Sequence, residues 1–190
     1  AEPQRIAEQL ARHPLLRRRT SEVQALHNVY YDTPAQDLRR QKVALRVRRL
    51  RSGSPPRDVW VQTLKTAGSS VGGLSQRGEW EAVLRNGQPR LTALRHSAWP
   101  ALDPDGTLWP QLQPCFVTTC TRTLWTVRQR DRSVIEVALD VGEILAGGRS
   151  LPICELELEL KAGSPEALHA LARALAADLA LLPGQASKAE

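Results

Sequence analysis

Ile153-Cys154-Glu155-Leu156-Glu157-Leu158-Glu159-Leu160-Lys161 sets acid against leucine at every other position. A period of two is that of a β-strand, so Glu155, Glu157, Glu159 and Lys161 share one face and Cys154, Leu156, Leu158 and Leu160 the other. Carboxylates in such a row repel one another unless a cation or arginines neutralise them. Hard divalent cations such as Mg²⁺ take oxygen ligands of this kind. A solvated outer face explains a single strand of this type as well, since antiparallel sheets commonly keep one face in water.

The neighbouring segments shift the balance. Val43 to Leu50, Val59 to Thr66, Gly78 to Leu84, Phe116 to Arg130 and Ser133 to Val141 read as further strands bounded by turn signals. Their alternate positions again carry charge: Arg46 with Arg48; Lys65 with Thr63 and Val61; Glu79 with Glu81; Arg122 with Cys120 and Leu124; Glu136 with Ala138 and Asp140. If these faces share one interior, it is a charged tunnel rather than an oily core, and it needs water, metal and an anionic ligand to offset buried charge. Arginine offers forked donors matched to phosphate oxygens, so a phosphate chain with Mg²⁺ fits.

Helical patterns bracket the strands. Pro3 to His13 places Ile6, Ala7, Leu10 and Ala11 on one face. Ser164-Pro165-Glu166 reads as an N-cap, a proline at the first helical position and an acid in the first turn, ahead of an apolar stripe of Leu168, Leu171, Ala172, Leu175 and Leu179; Pro183-Gly184 is the expected stop. Gly53 to Pro56 and Gly68 to Gly73 read as turns or loops. Asn86 to Pro114, around Trp99 and Trp109, reads as a helical or irregular excursion. The expected class is α+β: an antiparallel β-barrel with flanking helices, in one domain over residues 1–190.

A chain of 190 residues with 24% charged and 42% hydrophobic residues has the composition of a soluble globular protein. No apolar run reaches the length of a spanning helix, because His169, Arg173 and Asp178 interrupt even the Ala/Leu-rich tail. The net charge of +6 favours anionic partners. Nucleic acid is disfavoured, because the arginines fall inside strands and aromatics make up only 4% of the chain, whereas groove readers cluster basic residues on a helix or beside exposed rings. No secretory signal is visible, and Cys115, Cys120 and Cys154 lack metal-ligand spacing, which suits the reducing cytoplasm. His13, His27, His96 and His169 show no partners in the sequence.

Tyr30-Tyr31-Asp32-Thr33-Pro34 followed by Leu45-Arg46-Val47-Arg48 resembles the opening of the CYTH, or triphosphate tunnel, family. The similarity continues in order through Thr63-Leu64-Lys65, Gly72 to Arg77 leading to Glu79, Ile135 to Asp140 with Gly142-Glu143, Ile153 to Leu160, and Ser187-Lys188-Ala189. These segments look most like the bacterial inorganic triphosphatase branch. The resemblance implies phosphate grips at Arg46, Arg48, Lys65, Arg122 and Lys188, with Arg77 a weaker member. It implies a divalent metal, Mg²⁺ or Mn²⁺, at Glu155, Glu157 and Glu159, and Asp140 helping to hold a second metal or to orient water. Asp140, Lys65 and Arg122 are thus the expected catalytic group. Ordinary cross-strand salt bridges would explain Arg77, Glu79 and Glu136 equally well.

The family also implies an opening strand with Glu-x-Glu-x-Lys, a spacing that Glu2, Glu8 and Lys42 do not have. Either this strand lies upstream of Ala1 or this copy lacks half a metal site; the absence of Met favours the first, and residues 1–190 alone are expected to form an incomplete wall. A C-terminal CHAD domain in the same chain is expected on the same ground. The implied function is metal-dependent hydrolysis of inorganic triphosphate or an organic triphosphate. The alternatives are an adenylate cyclase or thiamine triphosphatase of the same family, and a polyphosphate-binding module without turnover.

Overall fold

The computed structural model describes residues 3–71 and 74–179. Helix α1 (Pro3–Arg12) is followed by strand β1 (Ser21–Asp32), the short helix α2 (Asp37–Arg40), β2 (Ala44–Ser52), β3 (Arg57–Val71) and β4 (Leu74–Leu84). An excursion with helix α3 (Trp99–Leu102) between two 3₁₀ turns leads to β5 (Gln113–Arg128), β6 (Val134–Ala146), β7 (Arg149–Ala162) and helix α4 (Pro165–Asp178). The strands form a seven-stranded antiparallel sheet of order β4-β3-β2-β1-β5-β6-β7, which bears out the expected α+β class. Among the described residues this hydrogen-bond order ends at β4 and β7 and does not close on itself. No helix among them is long and apolar enough to cross a membrane.

The chain divides into two compact units. One takes the N-terminal stretch to Ala25, Cys120–Glu143 and the chain from Pro152 through α4; the other takes Leu26–Thr119 and Ile144–Leu151.

In the second unit, Leu45 and Val47 on the odd-numbered face of β2 and Leu64 on the even-numbered face of β3 are wholly buried. Leu45 pairs with Leu64 and Leu64 with Trp80, and Leu45 and Leu64 join Leu38, Leu94 and Trp99 in a buried cluster. Each such leucine contributes roughly 2 kcal/mol through burial. The expected irregular excursion, over residues 86–112, supplies the cover through Leu94 and Trp99. Buried Gln62 pins it as a strand edge would, accepting from the Arg90 N–H at 2.7 Å and donating to the Arg90 carbonyl at 3.1 Å. With its apolar face covered in this way, β2–β4 leaves its other face to carry charge.

Asp32, in the Tyr-Tyr-Asp-Thr-Pro motif, is buried and accepts from the backbone N–H groups of Thr33 (2.7 Å), Leu38 (2.9 Å) and Arg39 (3.1 Å). It therefore satisfies the orphan donors at the start of α2. Tyr30 stacks on Phe116 at 4.3 Å between ring centroids. This much of the motif builds the turn from β1 into β2.

In the first unit, Ser164 caps α4 by accepting from Ala167 N–H at 3.4 Å, as expected. Gly163 has φ +101°, and a Cβ there would stand 2.2 Å from Ser133 Oγ, so the strand-to-helix turn requires glycine. Leu168, Leu171, Leu175 and Leu179 are buried, whereas Ala172 is exposed. Pro183-Gly184 lies outside the described residues. His13 does find a partner: its Nε2 donates to Asp178 at 3.0 Å and its Nδ1 accepts from Leu15 N–H, tying the end of α1 to α4.

Candidate active-site residues

The register of β2, β3 and β4 stacks charges in rows. Arg46 lies opposite Thr63 and Thr63 opposite Glu81; Ala44 lies opposite Lys65 and Lys65 opposite Glu79; Arg48 lies opposite Val61. Strand alternation therefore puts Arg46, Arg48, Lys65, Arg77, Glu79 and Glu81 on the face away from the leucine cluster. Lys65 Nζ meets Glu79 at 2.8 Å, and Thr63 Oγ1 donates to Glu81 at 3.0 Å. Burial and the adjacent Arg46 charge outweigh Glu79 and hold the Lys65 ammonium below the usual lysine range. Burial acts to raise Glu79, but Lys65, Arg46 and Arg77 together bring it below the ordinary carboxylate value.

The two arginines of β2 are held differently. Arg48 Nε donates to Asn28 Oδ1 at 2.7 Å, and Asn28 Nδ2 donates to Thr118 Oγ1 at 2.9 Å. Arg46 is only 8% exposed, its Nη2 stands 3.9 Å from Glu81, and its Nε is buried with no hydrogen-bond partner among the described residues. A buried donor without an acceptor is costly, and an anion is the group that would satisfy it.

The first unit has the opposite character. Arg122 on β5 donates from Nε and Nη2 to the two oxygens of Asp140 at 2.7 and 2.8 Å, and from Nη2 to Glu157 at 2.7 Å. Asp140 is 1% exposed. Further along β7, Lys161 meets Glu159 at 2.9 Å and Glu136 at 3.5 Å. Burial acts against the Lys161 charge, but Glu159 and Glu136 raise its pKa above the usual lysine value.

The expected residues thus fall into two groups. Arg46, Arg48, Lys65 and Arg77 come together in the second unit. Asp140, Arg122 and Glu157 come together in the first, with Glu155 and Glu159 on the same strand face as Glu157. The acids of β7 are not equivalent: Glu157 joins Asp140 through Arg122, while Glu159 is taken up by Lys161. Lys188 and the Gly72-Gly73 turn lie outside the described residues.

Among the described residues no three His, Cys, Asp or Glu side chains gather closely enough to hold a metal by themselves. The donor set nevertheless fits Mg²⁺ or Mn²⁺ chemically. Asp140 and Glu157 are hard oxygen ligands drawn to one guanidinium, and Mg²⁺ is ordinarily held by one or two carboxylates, with waters and substrate phosphates completing its octahedron.

A sequence profile of the CYTH domain matches residues 4–190. The chain belongs to the CYTH domain family. An inorganic triphosphatase from Haemophilus influenzae is 36% identical over 166 residues, which is 87% of this chain and 44% of that protein. The chain therefore spans less than half the length of this curated CYTH relative. A Hippeastrum putative adenylyl cyclase, described as having a dominant triphosphatase activity, superposes with TM-score 0.60 at 19% identity, covering 98% of this chain and 86% of its own. The PH1819 protein of Pyrococcus horikoshii superposes with TM-score 0.57 at 18% identity, covering 92% and 84% respectively. At such identities these structures establish the CYTH fold.

Within this CYTH domain the sequence reading missed Asn28 and Thr118. Both are buried polar residues in strands, and the only signal for Asn28 is its alternation with Gln24, Leu26, Tyr30 and Asp32, all buried.

Proposed function

We propose that this CYTH domain hydrolyses the terminal phosphoanhydride of inorganic triphosphate with a divalent metal, Mg²⁺ or Mn²⁺. The observation that carries the reading is the buried, unpartnered Nε of Arg46 on a strand face shared with Arg48, Lys65 and Arg77. Several adjacent phosphates are the anion that a buried unsatisfied guanidinium N–H beside other basic side chains suits. The Haemophilus relative named an inorganic triphosphatase makes tripolyphosphate the first substrate to try.

Phosphoryl transfer asks a protein mainly for positioning and charge neutralisation. In this reading Arg46 donates to phosphate oxygens from the edge formed by Nε and Nη, Arg48 and Lys65 hold neighbouring oxygens, and Arg77 adds charge at the end of the row. Lys188 joins them on the family resemblance alone. Asp140 and Glu157, with Glu155 and Glu159 beside them on β7, are the residues that would hold the cation. When bound, it would supply charge neutralisation and a more acidic water. Arg122 keeps Asp140 and Glu157 paired. Water adds to the terminal phosphorus, the bridging P–O bond breaks, and orthophosphate and diphosphate leave with release of a proton.

The test is phosphate release from tripolyphosphate by the full-length protein, with and without Mg²⁺ or Mn²⁺, beside ATP and thiamine triphosphate. Metal-dependent release, fastest with tripolyphosphate, is expected. Tight binding of tripolyphosphate with no release under any of these metals would instead identify a polyphosphate-binding module.

A further inference from the structure

Arg46 and Arg48 stand two positions apart on one strand face, yet only Arg48 has its Nε occupied. The acceptor is Asn28 Oδ1 at 2.7 Å. Asn28 is 2% exposed, and its amide could in principle sit either way round. The Arg48 N–H, which can only donate, removes that freedom by requiring Oδ1 on its side, and Nδ2 then donates to Thr118 Oγ1 at 2.9 Å, which anchors the amide. Thr118 is wholly buried and lies on β5, so the relay is anchored in the strand beyond β1.

We propose that Asn28, anchored by Thr118, is a positioning residue that fixes the guanidinium of Arg48 for the phosphate chain. It rests on the triphosphatase reading and deepens it. With Nε committed to Asn28, Arg48 meets a ligand through its terminal nitrogens, whereas Arg46 meets it through the edge that carries the orphaned Nε. The two arginines therefore present different edges to successive phosphates. A neutral amide is the acceptor suited to this task, because a carboxylate at position 28 would orient Arg48 but also neutralise it. Arg48 held in advance loses less conformational freedom on binding, so the gain falls on affinity and is the same before and during reaction.

The test uses the full-length protein with tripolyphosphate and Mg²⁺. Asn28→Ala is expected to raise KM about tenfold and leave kcat within about twofold, as loss of one charge-assisted hydrogen bond implies. In an Arg48→Lys background, which has no Nε to hold, the same change should alter KM by less than about twofold. Thr118→Val should raise KM in the same direction by less, and Thr118→Ser, which keeps the hydroxyl, should restore it. If Asn28→Ala does not fold, the Thr118 pair decides the matter. An unchanged KM, a fall in kcat alone, or an equal effect in the Arg48→Lys background would overturn the proposal while the triphosphatase reading stands. Absence of tripolyphosphate hydrolysis by the unaltered protein would remove both.

Discussion

The two units differ in how their charges are neutralised. In the first, Arg122 is bound by Asp140 and Glu157, Lys161 is bound by Glu136 and Glu159, and acids outnumber bases on the strand faces. In the second, Lys65 meets Glu79, Arg46 lies beside Glu81, Arg48 is held by the neutral Asn28, and the buried Arg46 Nε has no acceptor among the described residues. The first set is rich in acid and suits cations; the second keeps a buried donor without an acceptor among the described residues and suits an anion. The same chemistry, arginine beside carboxylate, therefore has different consequences: substitution in the first unit should cost stability, and in the second ligand affinity.

The sharpest way to break this contrast is Asp140→Ala. It leaves the largely buried Arg122 beside the more exposed Glu157. Loss of one member of a buried pair is expected to cost about 3 kcal/mol of folding free energy, together with all tripolyphosphate hydrolysis. Urea unfolding reads the first and phosphate release the second. A variant as stable as the unaltered protein would mean that the Arg122 cluster is not structural.

Arg46→Met makes the opposite experiment. Tripolyphosphate affinity should fall roughly tenfold to hundredfold. The melting temperature should hold or rise, because a buried unsatisfied donor is replaced by an apolar side chain. Calorimetric titration and thermal melting would separate the two. A large loss of stability with little change in affinity would reverse the roles assigned to the units.

Glu157→Gln sharpens the comparison within the first unit. Its side chain is 48% exposed, so its pairing with Arg122 is screened and its removal should cost at most about 1 kcal/mol. Metal-dependent hydrolysis should nevertheless be lost, since an amide is a poor ligand for Mg²⁺ beside Asp140. Melting measured without metal and activity measured with it should move independently. If both collapse, Glu157 is a structural partner like Asp140.

The charged faces were legible in the sequence because β-alternation is strict. Arg46 with Lys65 through Thr63, and Asp140 with Arg122 and Glu157, appear where a period of two puts them. Strand β1 was not. Its buried positions include Gln24, Asn28 and Asp32, so no apolar alternation marks Ser21–Asp32 as a strand. The same polarity hid the Asn28 relay, since nothing local indicates that an asparagine will meet an arginine and a threonine on other strands. Gly68 to Gly73 read as a loop, yet β3 runs on to Val71, and a register shift between Lys65 and Gly68 absorbs the irregularity that the glycine suggested. The preference of Lys161 for Glu159 was likewise invisible, because alternation places side chains on a face without choosing among neighbours there.

The smallest expected effect is also the most specific to the second unit. Burial and the Arg46 charge lower the Lys65 pKa, while Glu79 partly offsets them. Lys65 binds phosphate as an ammonium, so kcat/KM should fall as pH rises through this lowered value, before an ordinary lysine would titrate. Stability has the opposite sign: the unfolded chain holds the Lys65 proton more tightly, so unfolding becomes harder as pH rises from the lowered value towards the ordinary one. Arg46→Gln removes the like charge and should move the alkaline limb of the kcat/KM profile to higher pH, even though the plateau itself drops. Glu79→Gln removes the counter-charge and should move the limb to lower pH. Initial rates of phosphate release across the alkaline range, at fixed ionic strength, compare the three proteins directly. Opposite displacements would place the titrating group between Arg46 and Glu79. A limb unmoved by either substitution would mean that metal or substrate titration controls it, and that the Lys65 charge does not limit binding.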